Sequence, residues 1–193
     1  MNHQTISIGN FTFFQTSLKD LKMIETKIHV DDRGNNIESY NQDMFQKGGI
    51  EVEFVQENQS LSKKGVLRGL HFQRNHPQGK LVRVLLGEVY DVAVDLRKDS
   101  PTYGKWEGVL LSEENRRMLY IPEGFAHGFL ALTDVTLFAY KCTDYRFPED
   151  EDGIIYNDPS IGIQWPTEKV ENIILSDRDK KLQSFLAYEQ ASR

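Results

Sequence analysis

The chain has 193 residues, enough for one well-buried core and too few for two ordinary domains. Hydrophobic residues make up 39% and charged residues 27%, a balance that excludes a disordered chain. The formal charge of −6 excludes general affinity for nucleic acid or anionic membrane, so an anionic ligand has to be met by a local basic cluster. No apolar run approaches the ~20 residues of a membrane helix, and the start MNHQTISIGN lacks the pattern of a signal peptide. Cys142 is the only cysteine, which rules out an intramolecular disulfide and fits a cytoplasmic protein.

In chain order, TSLKDLKMIE (16–25) has the spacing of a short helix. Brief β-branched and aromatic runs follow, punctuated by turn residues. KIHV leads into the turn DDRGNN, and then come VEFVQENQSL, GVLRGLHFQ, KLVRVLL and GEVYDVAVDLR. WEGVLLS, RMLYIPEG, AHGFLALT and VTLFAYKCTDY continue the series, with SEENRR as a helical turn between two strands. The tail LSDRDKKLQSFLAYEQ reads as a charged strand exit followed by a helix. So many short strands at close spacing predict an antiparallel sandwich or barrel. There is no repeat, low-complexity stretch or linker, so residues 1–193 are expected to form a single jelly-roll domain, all-β with short helices at its ends.

Polar residues that interrupt strands are candidates to line a barrel mouth. In GEVYDVAVDLR, alternation separates Tyr90, Val92, Val94 and Leu96 from Val89, Asp91, Ala93 and Asp95. Asp95 is expected to face water; Asp91 fits either water or a polar interior. GVLRGLHFQ (65–73) is less regular. Strict alternation places Arg68 and His71 on opposite faces, and neither face is cleanly apolar. IPEGFAHGF (121–129) has the PxGxxH spacing of the second motif of cupins, whose first motif supplies an HxH pair for a divalent metal. Here that strand reads His71-Phe72-Gln73, and glutamine is a poor substitute for imidazole. The expectation is a cupin barrel, a double-stranded β-helix, with no metal and no cofactor.

GVLRGLHFQ, QGKLVRVLLGEVYDVAVDLR, SPTYGKW, YIPEGFAHGF and NDPSIGIQWP together resemble the dTDP-4-dehydrorhamnose 3,5-epimerase family, over about residues 24 to 180. The resemblance implies a metal-free, homodimeric jelly roll acting on a dTDP-linked 4-keto-6-deoxy sugar in rhamnose synthesis. It implies that His71 is the general base and that Arg68 contacts substrate. For both to reach one pocket the strand has to depart from alternation, and Gly69 is the expected site of a bulge.

The same resemblance makes Asp179 the carboxylate behind His71, Tyr140 the acid on the opposite face and Lys80 the cation at the enolate oxygen. It makes Arg33, Arg68 and Arg178 the diphosphate ligands, arginine suiting phosphate by its planar fork. Glu38, Gln56, Asn58, His127 and Glu151 match further substrate-binding positions. Read bare, Asp179 is a surface charge, Tyr140 core packing, Lys80 a solvated strand start, and His127 as much a turn-closing histidine as a ligand. Two positions depart from the family pattern: Asn36 and Arg146 stand where aromatic residues help to hold the nucleobase. Arg146 offers stacking or phosphate contact instead.

The leading expectation is cofactor-independent inversion at C3 and C5 through an enolate. A single-carbon epimerase, or one using another nucleotide, is the near alternative. From another class comes a catalytically silent cupin that binds a nucleotide sugar; binding alone does not require His71, Lys80, Tyr140 and Asp179 together. A metal-dependent cupin ranks last.

Overall fold

The computed structural model describes residues 5–191. Two antiparallel sheets face each other. The larger has seven strands: β1 (Thr5–Ile8), β2 (Phe11–Gln15), β3 (Lys22–Thr26), β6 (Gln56–Ser62), β8 (Lys80–Leu86), β11 (Met118–Ile121) and β13 (Thr136–Cys142). Their spatial order is β1-β2-β3-β11-β8-β13-β6. The smaller has β7 (Leu67–Gln73), β9 (Glu88–Asp95), β10 (Trp106–Ser112), β12 (Phe125–Ala131) and β14 (Glu151–Gly153), ordered β10-β9-β12-β7-β14. A separate hairpin, β4 (Ile28–Asp31) with β5 (Gly34–Ile37), belongs to neither sheet. The helices are α1 (Gln42–Lys47) and α2 (Phe185–Ala191), and no helix among the described residues is long and apolar enough to cross a membrane.

Period-two alternation sorts the side chains into three apolar layers. Val82, Val84, Val89, Ala93, Leu119, Phe125, Phe129 and Phe138 pack between the sheets. The opposite side chains of the small sheet, among them Leu70, Val92, Val94 and Leu130, are covered by Ile154, Ile161, Trp165 and Phe185 of the C-terminal segment. With both faces covered, all seven residues of β12 are buried. The outer face of the large sheet carries Phe11, Phe13, Ile24 and Leu81, closed over by Phe45 of α1 and by Ile50. Asn41 caps α1, its side chain accepting from Met44 N at 3.2 Å. Asp158 fastens α2 by accepting from the backbone N of Phe185 at 2.9 Å.

The helix expected at 16–25 does not form. Leu18 and Leu21 point from a loop into the inter-sheet core, and Lys22–Thr26 is a strand between β2 and β11. The spacing of Leu18, Leu21 and Ile24 imitates a helical face. The run FTFFQ just before it, which the sequence reading left unassigned, supplies a β partner instead, and strand pairing overrides the local pattern. SEENRR forms one turn, closed by Arg116 N donating to Ser112 O at 3.0 Å.

The bulge expected at Gly69 is present. Across β7 and β12, His71 pairs with His127 and Arg68 with Phe129, so three steps on one strand match two on the other. Leu67 and Leu70 consequently pack into the outer layer, while Arg68 and His71 both turn inward. Gly69 has φ +131°, and a Cβ there would lie 2.4 Å from Gly128 Cα. The converse holds at Gly128, where a Cβ would stand 2.6 Å from the Arg68 carbonyl oxygen. Gly69→Ala is therefore expected to lower stability by about 1–3 kcal/mol from backbone conformation alone, with more from the overlap. Urea unfolding measures this, and a variant within about 0.5 kcal/mol of the parent would contradict it.

Candidate active site

Between the sheets, toward one end, lies a cavity of ≈ 520 Å³. Its walls follow from the register. Inward residues of β6 give Gln56, Asn58 and Ser60; β8 opens with Lys80; β13 contributes Phe138 and Tyr140. The small sheet adds Arg68 and His71 from β7, and His127 and Phe129 from β12. Residues 174–179 close one side, held to the start of β7 and the turn before it by Leu67 N donating to Ile174 O at 3.0 Å and Ile174 N to Gly65 O at 2.8 Å. The inner wall is apolar, with the Phe129 and Phe138 rings stacked at 4.2 Å.

His71 Nε2 donates to Asp179 Oδ1 at 2.6 Å. The imidazole is one-third exposed to the cavity, whereas the carboxylate side chain is only 4% exposed. Asp179 is thus no surface charge, as the bare sequence favoured. Burial pushes its carboxyl upward, but the hydrogen bond from His71, with help from Ser176 and Arg178, holds it below the usual range. Asp179 N donates to Ser176 Oγ at 3.0 Å, which sets the turn that aims the carboxylate.

A second pair stands beside the first. His127, the cross-strand partner of His71, donates from Nε2 to both Asp91 oxygens at 3.0 and 2.9 Å. Asp91 is completely buried, so the interior alternative is the correct one. Asp95, expected to face water, is also completely buried. It accepts from Arg97, Ser100 and Thr102; despite the upward push of burial, these bonds hold its pKa down to about 2. A guanidinium and two hydroxyls drawn from the following loop are what alternation alone could not reveal.

No hydrogen bond or ion pair holds the Lys80 ammonium among the described residues. Burial draws it below its usual range, while the Glu151 and Asp91 charges pull the other way. Tyr140 faces the cavity from the opposite sheet to His71, and burial pushes its phenol up, which keeps it protonated at neutral pH. At the rim, Glu151 binds Arg146 through two oxygens, at 2.7 and 3.1 Å, and also binds Arg178. Burial opposes ionisation of Glu151, but the two guanidiniums bring it to about 2. Arg68 leans on Ser62 Oγ at 3.2 Å. Asn58 accepts from Gln56 at 3.1 Å, and Gln56 accepts from Arg146 N at 3.0 Å.

Gln73, at the position that argued against a metal, ties down loops: its amide donates to His76 O and Tyr145 O and accepts from Phe147 N. No three His, Cys, Asp or Glu side chains converge as a ligand set among the described residues.

Eleven of the thirteen residues singled out by the sequence therefore line one cavity. Arg33 and Glu38 do not. Arg33 sits in the β4–β5 hairpin, its side chain 89% exposed and paired to Asp31 at 2.5 Å. Glu38 accepts from Asn10 and Asn41, at 2.9 and 2.8 Å. The sequence reading missed Ser60, Gln78 and Ser176 at the walls, and did not decide on Asp91. Ser60 shares the inward row of Gln56 and Asn58, a signal that period two already carried.

The family model described as dTDP-4-dehydrorhamnose 3,5-epimerase matches residues 15–187. A dTDP-4-dehydrorhamnose 3,5-epimerase of Methanothermobacter thermautotrophicus is 56% identical over 173 residues, covering 90% of this chain and 94% of that protein. The crystal structure of the epimerase RmlC of Legionella pneumophila in complex with dTDP-4-keto-L-rhamnose has a TM-score of 0.87 at 50% identity, covering 90% of this chain and 92% of that one. ChmJ, a 3'-monoepimerase of Streptomyces bikiniensis crystallised with dTDP-quinovose, gives 0.85 at 31%, covering 92% and 89%.

The rim carboxylate makes a pH prediction. Glu151 is depressed from 4.5 to about 2, so the folded state binds its proton less readily than the unfolded chain does. Its stabilisation is complete above pH ~4.5 and is lost as pH falls toward ~2. Denaturant midpoints across this window should fall more steeply for the parent than for Glu151→Gln; parallel curves would contradict the clamp.

Proposed function

The chain belongs to the dTDP-4-dehydrorhamnose 3,5-epimerase family and is an isomerase with that activity in rhamnose biosynthesis; we propose that His71 and Tyr140 are its base and acid. The observation that carries this reading is a dyad-supported imidazole and a half-buried phenol on facing sheets of one cavity, with an unpaired ammonium in the same wall.

A ketone at C4 acidifies the hydrogens on C3 and C5, because each carbanion delocalises into an enolate. His71 takes the C3 proton; the electron pair moves onto O4, where Lys80 stabilises the developing charge in a water-poor setting. Asp179 fixes the tautomer of His71 and stabilises the imidazolium. Tyr140 then gives its proton to the opposite face of C3, inverting it. Proton exchange restores imidazole and phenol, and the same steps invert C5. Arg68, Arg146 and Arg178 receive the diphosphate, and Gln56, Asn58, His127 and Glu151 complete the substrate contacts.

Arg33 and Glu38 enter this reading only through a second copy. The β4–β5 hairpin stands outside both sheets, with Val30 76% exposed. A homodimer that lays this hairpin across the partner's cavity mouth gives Arg33 and Glu38 their binding roles, and sets Asn36 near the nucleobase. The working unit is then two copies of one epimerase domain, and the absence of any disulfide pairing suits the cytoplasm.

His71→Ala and Tyr140→Phe are each expected to lower turnover by ~10²- to 10⁴-fold while sparing nucleotide binding. Proton NMR of the 4-keto-6-deoxyglucose substrate in heavy water should show loss of the C3 and C5 signals with the parent and not with His71→Ala. Exchange at C3 alone would favour a single-carbon enzyme, and no exchange with the parent would overturn the reading. Arg33→Ala should raise KM with little change in kcat. Light scattering should return a dimer; a monomer at micromolar concentration would remove the proposed role of the hairpin.

A further inference from the structure

Gln73 is 6% exposed, and both polar atoms of its side chain are engaged by loop backbone. Its amide nitrogen donates to His76 O at 2.6 Å and to Tyr145 O at 3.1 Å, and its oxygen accepts from Phe147 N at 2.7 Å. Two of these three partners, Tyr145 and Phe147, flank Arg146 in the chain. The strand register adds a second hold on the same residue. Gln73 pairs across the ladder with Glu151, the carboxylate that binds the Arg146 guanidinium through two oxygens. One pair of facing residues therefore fixes Arg146 at both ends, Gln73 through the backbone on either side and Glu151 through the side chain. Gln56 adds to this by accepting from Arg146 N at 3.0 Å. Gln56, Arg146 and Glu151 line the cavity, whereas Gln73 lies behind its wall.

We propose that Gln73 is a positioning residue for substrate binding: it sets the backbone from which Arg146 presents its guanidinium to the diphosphate. The inference rests on the phosphate role given to Arg146 above. Arg146 stands on the irregular connection between β13 and β14, and its side chain is 57% exposed. A long side chain on such a loop reaches many positions, yet the planar fork binds phosphate oxygens in pairs only when it is aimed. Pairing with Glu151 aims the fork but does not place its root. The root is placed by the buried amide. Glutamine suits that task, because its two N–H groups and one carbonyl match two peptide oxygens and one peptide N–H. A glutamate there would set a carboxylate against two carbonyl oxygens, and a methionine would fill the volume and leave all three peptide groups unpaired. The rest of the junction is built to the same end: the His76 ring stacks on Phe147 at 4.1 Å, and Asp150 accepts from the backbone N of both Asn75 and His76.

The test is a double-mutant cycle with kcat and KM read separately. The parent, Gln73→Met, Arg146→Ala and the double variant are each assayed on dTDP-linked 4-keto-6-deoxyglucose. Gln73→Met should raise KM about 3- to 10-fold and leave kcat within about 2-fold of the parent. Arg146→Ala should raise KM at least as far, and adding Gln73→Met to it should raise KM no further. Losses in KM that simply multiply would overturn the proposal. So would a fall in kcat at constant KM, which would mark Gln73 as a support of His71, two residues away on β7. Hydrogen exchange of the ligand-free parent needs no variant: the Phe147 amide should exchange as slowly as the strand amides of β13. Exchange as fast as an open loop would overturn the proposal even where Gln73→Met fails to fold. An unchanged KM in Arg146→Ala removes the phosphate role of Arg146 and the inference with it. A parent inert on this substrate overturns the epimerase reading itself, a result distinct from an active parent with uncoupled losses.

Discussion

The close passage of two glycines, Gly69 and Gly128, underlies everything the cavity can do. A β-strand shows alternate side chains to opposite faces, so residues three apart cannot both point inward unless the ladder slips. The slip between β7 and β12 needs one strand to lie almost on the backbone of the other, and only hydrogen side chains leave room. On one side of the slip Arg68 enters the cavity; on the other, His71 enters and meets His127 across the ladder. The outer layer gains as well, because Leu67 and Leu70 both turn to the C-terminal segment that carries Asp179. A single irregularity thus joins the Arg68 wall, the imidazole and the support for its carboxylate.

Electrostatics explains how an acidic chain presents a cationic cavity. Charges are kept apart by pairing them differently. Glu151 absorbs two guanidiniums at the rim, Asp179 and Asp91 each hold an imidazole, and Asp95 is spent on its own loop. Among the described residues, neither Arg68 nor Lys80 of the cavity wall has a counter-ion at bonding distance; Arg68 still donates to Ser62 Oγ and Leu61 O, whereas Lys80 has no hydrogen bond either. In a site walled by Phe129 and Phe138, the unanswered Lys80 charge is, in the proposed mechanism, the term which favours negative charge developing on a substrate oxygen. The rim arginines, Arg146 and Arg178, have a different character: each already holds the Glu151 carboxylate.

Much of this was legible before any coordinates. Short strands with turn residues between them foretold the two sheets, and KLVRVLL and WEGVLLS match their strands residue for residue. The irregular pattern of GVLRGLHFQ raised the question, and the family resemblance, by requiring Arg68 and His71 in one pocket, located the bulge at Gly69, since glycine is where a ladder can slip. What escaped had physical causes. Leu18, Leu21 and Ile24 follow a helical spacing although they belong to a loop and a strand whose partner, FTFFQ, decides their conformation. Asp179 looks like one charge among several in LSDRDKK; its burial is set by a residue 108 positions away. Asp95 is buried because Arg97, Ser100 and Thr102 fold back over it, a turn that strand periodicity does not describe. Arg33 and Glu38 were assigned by family match alone, and in a single chain that assignment has no spatial counterpart.

The dyad's span along the chain also bears on biosynthesis. His71 lies on a strand translated early, whereas Asp179 and the segment that fastens it beside β7 come more than a hundred residues later. All of the large sheet, and every strand of the small sheet except β14, precede residue 143. A ribosome-bound chain of that length therefore holds the imidazole, the phenol and the ammonium, yet lacks the carboxylate that the imidazole binds. Incomplete chains thus carry an unfinished cavity: the last part of its wall to leave the exit tunnel is the part that supplies the partner of His71.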